Sequence, residues 1–250
     1  MKIYKTHGVS KIIGIHVNTV RLYEKCKLIF QPERLANGYR VFTDLHIEQF
    51  KMARSVLKVE VMQNGLRKQA VDILKVSALG NLEDAKKMAE CYLKQLDLEM
   101  NHAEEAIEIA RNILNSYDPD IPREEIALTR KETGETLQVT IDTLRNWELN
   151  GLIAAKRKQN RYRVYSYEDI QRLKIIRSLR CANYSLSAIL RMLQELSQNP
   201  AADLRKTINT PRDKDDVITA CDNLLTSLAE AKINMLYAVS QIEKIQKMKK

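Results

Sequence analysis

Ile15-His16-Val17-Asn18-Thr19-Val20-Arg21-Leu22-Tyr23-Glu24 lies over Val139-Thr140-Ile141-Asp142-Thr143-Leu144-Arg145-Asn146-Trp147-Glu148 when the chain is shifted on itself by 124 positions. Leu28-Ile29 then falls on Leu152-Ile153. After a one-residue length change, Asn37-Gly38-Tyr39-Arg40-Val41-Phe42 falls on Asn160-Arg161-Tyr162-Arg163-Val164-Tyr165. Lys51, Arg54 and Ser55 continue onto Lys174, Arg177 and Ser178. The chain is therefore one module of about 120 residues written twice.

Within a module, a short helix (about 9–13 and 130–137) precedes a tight turn and a second helix (about 17–26 and 141–149). This is the helix-turn-helix arrangement. Thr140 suits the N-cap of the second helix and His16 suits it less well. Ser10 and Gly134 coincide under the shift, and a small residue there lets the two helices approach closely. A β-ribbon follows, with Asn37-Gly38 supplying the positive-φ turn in the first copy. Asn160-Arg161 requires a different turn in the second. Thr43 and Ser166 read as N-caps of a further helix carrying Ile47 and Phe50, or Ile170, Leu173 and Ile176. Ser185 opens another helix, Leu186 to Leu193; the matching stretch of copy one, Val61 to Leu74, is less regular.

Each module ends in a long apolar seam. Ala89, Leu93, Leu96, Met100, Ala103, Ile107, Ala110 and Leu114 recur at steps of four and three. Val217, Cys221, Leu224, Leu228, Ala231, Met235, Ala238, Ile242 and Ile245 do the same. This is the spacing of a coiled-coil seam, the alternative being two core helices of a bundle. Residues 116–123 join the first long helix to the second module, and Pro119 and Pro122 break the helix there. With an extended reach under about 30 Å, so short a join favours an antiparallel pairing of the long helices over a parallel one. The expected fold is mainly α: two winged helix-turn-helix domains with small β-wings, joined by an intramolecular antiparallel coiled coil. Its parts are domain 1 over 1–80, long helix 1 over 82–117, a linker over 118–125, domain 2 over 126–199 and long helix 2 over 213–250.

Composition narrows the function. The 250 residues carry a net charge of +9, with 7 Gly, 4 Cys and 44% apolar residues. Residues 1–75 hold 14 Lys/Arg against 6 Asp/Glu, and residues 126–195 hold 13 against 7. Residues 82–117 hold 4 against 8, and residues 213–250 hold 6 against 6. Positive charge confined to the two repeated blocks is the footprint of a polyanion site, whereas scattered charge is merely a solvated face. Phosphate loops, H-E-x-x-H and a local Cys–His pair are absent from the sequence, which argues against an enzyme and gives no catalytic residue. No apolar run approaches the ~20 residues of a membrane helix, and neither a secretory signal nor a C-x-x-C pair is seen; a cytoplasmic protein is expected.

Thr-Val-Arg or Thr-Leu-Arg followed by an aromatic-Glu pair, then Leu-Ile and a Tyr-Arg wing, resembles the DNA-binding domain of MerR-family transcription regulators. The resemblance extends over both winged domains and their long helices. It implies double-stranded promoter DNA as partner, with RNA polymerase as a further candidate, and distortion of the bound DNA. Family members are normally homodimers joined through antiparallel long helices. Two copies in one chain imply a pseudo-dimer whose half-sites need not match.

The start of the second helix of a helix-turn-helix enters the major groove. This assigns base reading to Asn18 and Thr19 and to their counterparts Asp142 and Thr143, against the alternative of a simple helix-start preference. Asn suits adenine and Asp suits a cytosine amino group. Arg21 and Arg145 read as phosphate ligands. Tyr23 and Trp147 do so by the resemblance, or else pack their helices. In the wings, Tyr39, Arg40, Arg161, Tyr162 and Arg163 read as backbone clamps, with Lys156-Arg157-Lys158 adding charge.

Metal-sensing relatives place cysteines at both ends of the long helix. Here Cys221 sits on one seam and Cys91 off the other, while Cys26, Cys181 and His102 are isolated, so no metal or cofactor is expected. An effector, whose existence and identity the sequence leaves open, would bind between a long helix and a basic domain, with Tyr92, Tyr117, Tyr184 and Tyr237 as candidate walls. Two other functional classes fit the sequence: an architectural or excision-type DNA-bending protein, and a protein-interaction scaffold that has lost DNA binding.

Overall fold

The computed structural model describes residues 2–58, 65–115, 127–157, 163–199, 201–211 and 221–249. The chain divides into two compact units, residues 1–98 with 227–250 and residues 99–226.

Unit 1 begins with β1 (Ile3–Tyr4), α1 (Thr6–Ile13) and α2 (Val17–Lys25). The α1–α2 turn is built on Gly14 at φ 70°, and the N-cap of α2 is His16, whose Nδ1 accepts the Asn18 N–H at 3.2 Å. The imidazole thus does the capping that serine or threonine usually performs. The wing follows as β2 (Glu33–Arg34) and β3 (Arg40–Thr43), joined by a turn with Gly38 at φ 80°. β1 pairs antiparallel with the other side of β3, giving a three-stranded sheet where the sequence suggested a ribbon. The third strand is too short to leave a period-two signature.

Next come α3 (Asp44–Val56) and α4 (Leu66–Ala78). Thr43 precedes α3, with its N–H on His46 Nδ1 at 3.0 Å. Val9, Val20, Tyr23, Leu28, Ile29, Phe42, Ile47 and Phe50 are buried together, and Tyr23 stacks on Phe50 with centroids 5.7 Å apart.

Long helix α5 runs over Leu82–Asn115 and contains the whole first seam, and α11 runs over Leu224–Lys249. Cys221, placed on the second seam by periodicity, lies in the turn before α11, and Val217 lies outside the described residues. In unit 1 the two helices run antiparallel. Glu83 meets Gln246 (2.8 Å), Lys86 meets Glu243 (2.7 Å) and Asp97 meets Lys232 (2.6 Å). As one number rises the other falls by the same amount. α11 also docks on the winged domain of unit 1. Ser55 Oγ donates to Asn234 Oδ1 at 2.8 Å, Lys244 pairs with Glu48 at 2.9 Å, and the Lys249 ammonium sits 4.1 Å from the Phe30 ring centroid.

Unit 2 repeats the plan: β4 (Leu128–Thr129), α6 (Arg130–Leu137), α7 (Ile141–Leu149), β5 (Lys156–Arg157), β6 (Arg163–Tyr165) and α8 (Tyr167–Cys181). β6 is again the central strand. α9 (Leu186–Gln198) and the short α10 (Leu204–Ile208) complete it. Thr140 caps α7 through the Thr143 N–H at 3.1 Å, and Ser166 with Asp169 forms a capping box on α8. The linker at 118–125 and the second wing's turn lie outside the described residues.

The Ser10/Gly134 position has a more local cause than helix crossing. A Cβ on Gly134 would lie 2.9 Å from the Val139 carbonyl oxygen. In unit 1, Ser10 Oγ donates to the matching Ile15 carbonyl at 2.7 Å. One copy removes the side chain and the other turns it into a hydrogen bond.

Candidate nucleic-acid interface

On α2, Val20, Tyr23 and Glu24 face the core, leaving Asn18, Arg21, Leu22 and Lys25 exposed on one face. On α7, Leu144 and Trp147 are buried, leaving Asp142, Arg145, Asn146 and Leu149 exposed. The assigned base readers Asn18 and Asp142 thus stand in solvent in the first turn of their helices, and Thr19 and Thr143 are half-exposed beside them. Thr143 is also engaged by the cap, its Oγ1 being 2.9 Å from that of Thr140.

Arg21 lines a concave surface of about 530 Å³ with Lys5, Thr6, His7, Val17 and the wing residues Asn37, Gly38, Tyr39 and Arg40. The start of α1, which the sequence reading left unassigned, therefore adds Lys5 and His7 to a cradle between recognition helix and wing. Concave basic surfaces of this kind suit a phosphodiester backbone. Tyr39 is 65% exposed at the tip of the turn. In unit 2 the counterpart wing residues Arg161 and Tyr162 lie outside the described residues.

Two of the assigned clamps do more than face solvent. Arg40 Nε bonds to Glu24 Oε2, and the same carboxylate accepts from Arg34 at 3.2 Å and Gln31 at 3.4 Å. Arg163 Nε pairs with Glu148 at 3.2 Å, beside Arg130 at 2.7 Å and the Tyr165 hydroxyl. Glu24 and Glu148, whose side chains are 7% and 8% exposed, tie the wing to the recognition helix. Burial, reinforced by Glu148, holds the Tyr165 phenol above its ordinary range. The partners differ by copy. Where unit 1 has Phe42, with no hydroxyl to give, Gln31 and Arg34 donate; where unit 2 has Tyr165, the phenol and Arg130 take over. The sequence signal was present, since Glu closes the repeated stretch in both copies, but nothing local says that it faces inward.

Tyr23 and Trp147 are 7% and 3% exposed. Their rings pack the recognition helices onto the domain. The heads also differ in charge. Asp142 pairs with Arg145 at 2.9 Å, both exposed, whereas Arg21 stands three residues after the neutral Asn18.

Of the suggested effector walls, Tyr92 and Tyr184 are core residues, with burial pushing each phenol up to about 12; Tyr237 is exposed and Tyr117 lies outside the described residues. Among the described residues, no group of three His, Cys, Asp or Glu side chains could hold a metal ion. No described helix is long and apolar enough to cross a membrane.

Comparison with known proteins matches the sequence pattern described as "MerR HTH family regulatory protein" at residues 4–65 and again at 128–196. The HTH-type transcriptional regulator CueR of Yersinia pestis is 39% identical over 51 residues, 20% of this chain and 37% of that protein. CueR of Escherichia coli O6:H1 is 35% identical over 51 residues, 38% of its length. The chain thus spans little more than a third of the length of these relatives. No solved structure matches it. The two matches follow the two winged units, together cover more than half of the sequence, and carry the exposed recognition helices with them: the chain belongs to the MerR HTH family of regulatory proteins.

Proposed function

We propose that this chain is a cytoplasmic, sequence-specific transcription regulator whose two winged domains, as a single-chain pseudo-dimer, engage two unlike half-sites of promoter DNA. The observation that carries the reading is the repeated recognition helix, which presents Asn18 and Arg21 in one copy and Asp142 and Arg145 in the other. Its inner face is locked to the wing by a buried glutamate. Direct readout needs polar groups on a rigid helix at the major groove, and affinity needs cations at the flanking phosphates. Asn18, Thr19, Asp142 and Thr143 supply the former. Arg21, Arg145, Lys5, His7 and the wings supply the latter.

The unlike first-turn residues, Asn18 and Asp142, support unlike half-sites. The antiparallel contacts of α5 with α11 in unit 1 support a coiled coil made within one chain. A regulator of this type acts by distorting promoter DNA for RNA polymerase, with an effector shifting the distortion.

Binding of a selected duplex, titrated against salt, tests the reading. Arg21→Ala and Arg145→Ala should each weaken binding for all sequences and reduce the salt slope by about 1. A double variant with unchanged affinity and slope would contradict the proposal and point to a scaffold instead.

A further inference from the structure

We propose that unit 2 contains a binding site for a small carboxylate with an apolar body, at the junction of the end of α5 with α8 and α9, and that unit 1 has no counterpart. Ile113 and Leu114 from α5, Arg172 and Ile175 from α8, and Leu193 and Leu196 from α9 line a cleft of about 240 Å³ that opens to solvent on one side. A dry apolar cavity of roughly 150 Å³ already holds a benzene ring, so the space suits a ring or a branched aliphatic group.

Its wall carries Arg172 together with Glu168, a carboxylate that is itself engaged in an interaction, and the neutral Gln171 and Ser197. The Arg172 guanidinium is half-buried, with its Nε donating to the Leu152 carbonyl at 2.6 Å. Burial lowers its pKa, with Asp169 offsetting part of that effect. A desolvated cation beside an apolar space gains most from a ligand that brings a carboxylate, because an anion offsets the cost of burying the charge.

The internal repeat supplies the second observation. The caps Thr43 and Ser166 put α3 and α8 in register, so Glu48, Gln49 and Met52 stand where Gln171, Arg172 and Ile175 stand in unit 2. The seams likewise match Gln241 and Ile242 to Ile113 and Leu114. In unit 1 every one of these positions is closed. Gln49, Met52 and Ile242 are fully buried, and Gln49 Oε1 accepts the Phe30 N–H at 2.5 Å. Glu48 is paired with Lys51 and Lys244, each at 2.9 Å. In unit 2, Ile113, Leu114, Gln171 and Arg172 are half-exposed and line open space. Among the described residues, one copy of the module packs this junction solid and the other leaves a cleft there, beside Arg172. The inference rests on the cavity and not on DNA binding, so failure of either reading leaves the other standing.

The test is titration of the full chain with 4-fluorobenzoate and, separately, with its uncharged analogue 4-fluorobenzamide, followed by fluorine NMR. With about ten non-hydrogen atoms, such a probe should saturate by about 10 mM. The expected result is one site per chain, with the amide bound at least about tenfold more weakly. Arg172→Gln should erase that preference. Leu196→Phe, at a half-exposed position, should fill the cavity and abolish binding while the far-UV spectrum and melting stay native. No saturation, two sites per chain, equal binding of acid and amide, or undiminished binding in folded Leu196→Phe would each overturn the proposal.

Discussion

Replacing Glu24 or Glu148 by Gln keeps the shape of the side chain and removes the charge on which the wing arginines converge. Glu24 is 7% exposed, and its partners Arg34 and Arg40 are 50% and 26% exposed; for Glu148 at 8%, Arg130 and Arg163 are 19% and 37% exposed. A charge-assisted hydrogen bond contributes about 1.5–3 kcal/mol, and breaking a buried pair costs about 3–5. Water can reach the arginines here, and Gln still accepts one bond, so the lower part of that range applies. We expect a loss of about 2–3 kcal/mol in either variant, which moves a urea midpoint by about 1 M at a slope of about 2 kcal/mol per M. Amide exchange should rise along Arg40–Thr43 in Glu24→Gln and along Arg163–Tyr165 in Glu148→Gln. Each substitution also makes the chain more positive, which alone would strengthen binding to any polyanion. If these glutamates set wing geometry, affinity for the selected duplex falls despite the added charge. Unchanged stability together with tighter binding of the selected duplex would refute the reasoning.

Gly134→Ala, which sets a Cβ 2.9 Å from the Val139 oxygen, should cost about 1–3 kcal/mol, whereas Ser10→Ala should cost about 1 through the lost bond to Ile15; thermal melts compare them. Burial lowers the His46 pKa to about 4, so between about pH 6.5 and 4 the unfolded chain carries a proton that the folded chain lacks. Stability should therefore fall by up to about 3 kcal/mol as pH drops through that window, and His46→Gln should flatten the dependence above pH 5 in acid-titrated melts. Asp97 and Lys232 are half-exposed, so a double-mutant cycle should return a coupling under about 1 kcal/mol. Lys86→Cys with Glu243→Cys should be joined within one chain by a short bifunctional thiol reagent, whereas a parallel pairing of α5 and α11 would leave them unlinked.

Much of the architecture was legible because the module is written twice. A stretch such as Thr19-Val20-Arg21 is weak alone; matched to Thr143-Leu144-Arg145 with Leu-Ile and the wing at fixed spacing, it defines the second helix in both copies to within a residue. The three-four seam from Ala89 to Leu114 likewise falls wholly within α5. Two-residue strands such as β1 and β4 carry no periodicity, so the third strand of each sheet was invisible. The close approach behind Gly134 depends on a carbonyl five residues on, which pattern alone reads as helix crossing. The inward turn of Glu24 and Glu148, and with it the double duty of Arg40 and Arg163, follows from the rotation of α2 and α7 against the wing. Charge counting marks the wing arginines as basic without showing that Arg40 and Arg163 face a carboxylate of the same domain. The cavity beside Arg172 was equally hidden, because it depends on how α5, α8 and α9 meet.

The central claim is that one chain carries two reading heads of different specificity. Selection of bound duplexes from a random pool by the full chain, followed by sequencing, tests it most directly. The account predicts a bipartite site bound by one chain, with unlike half-sites at fixed spacing, one of which changes its preferred base with Asn18→Asp and the other with Asp142→Asn. A palindromic consensus, a site that needs two chains, or no enrichment at all would contradict it.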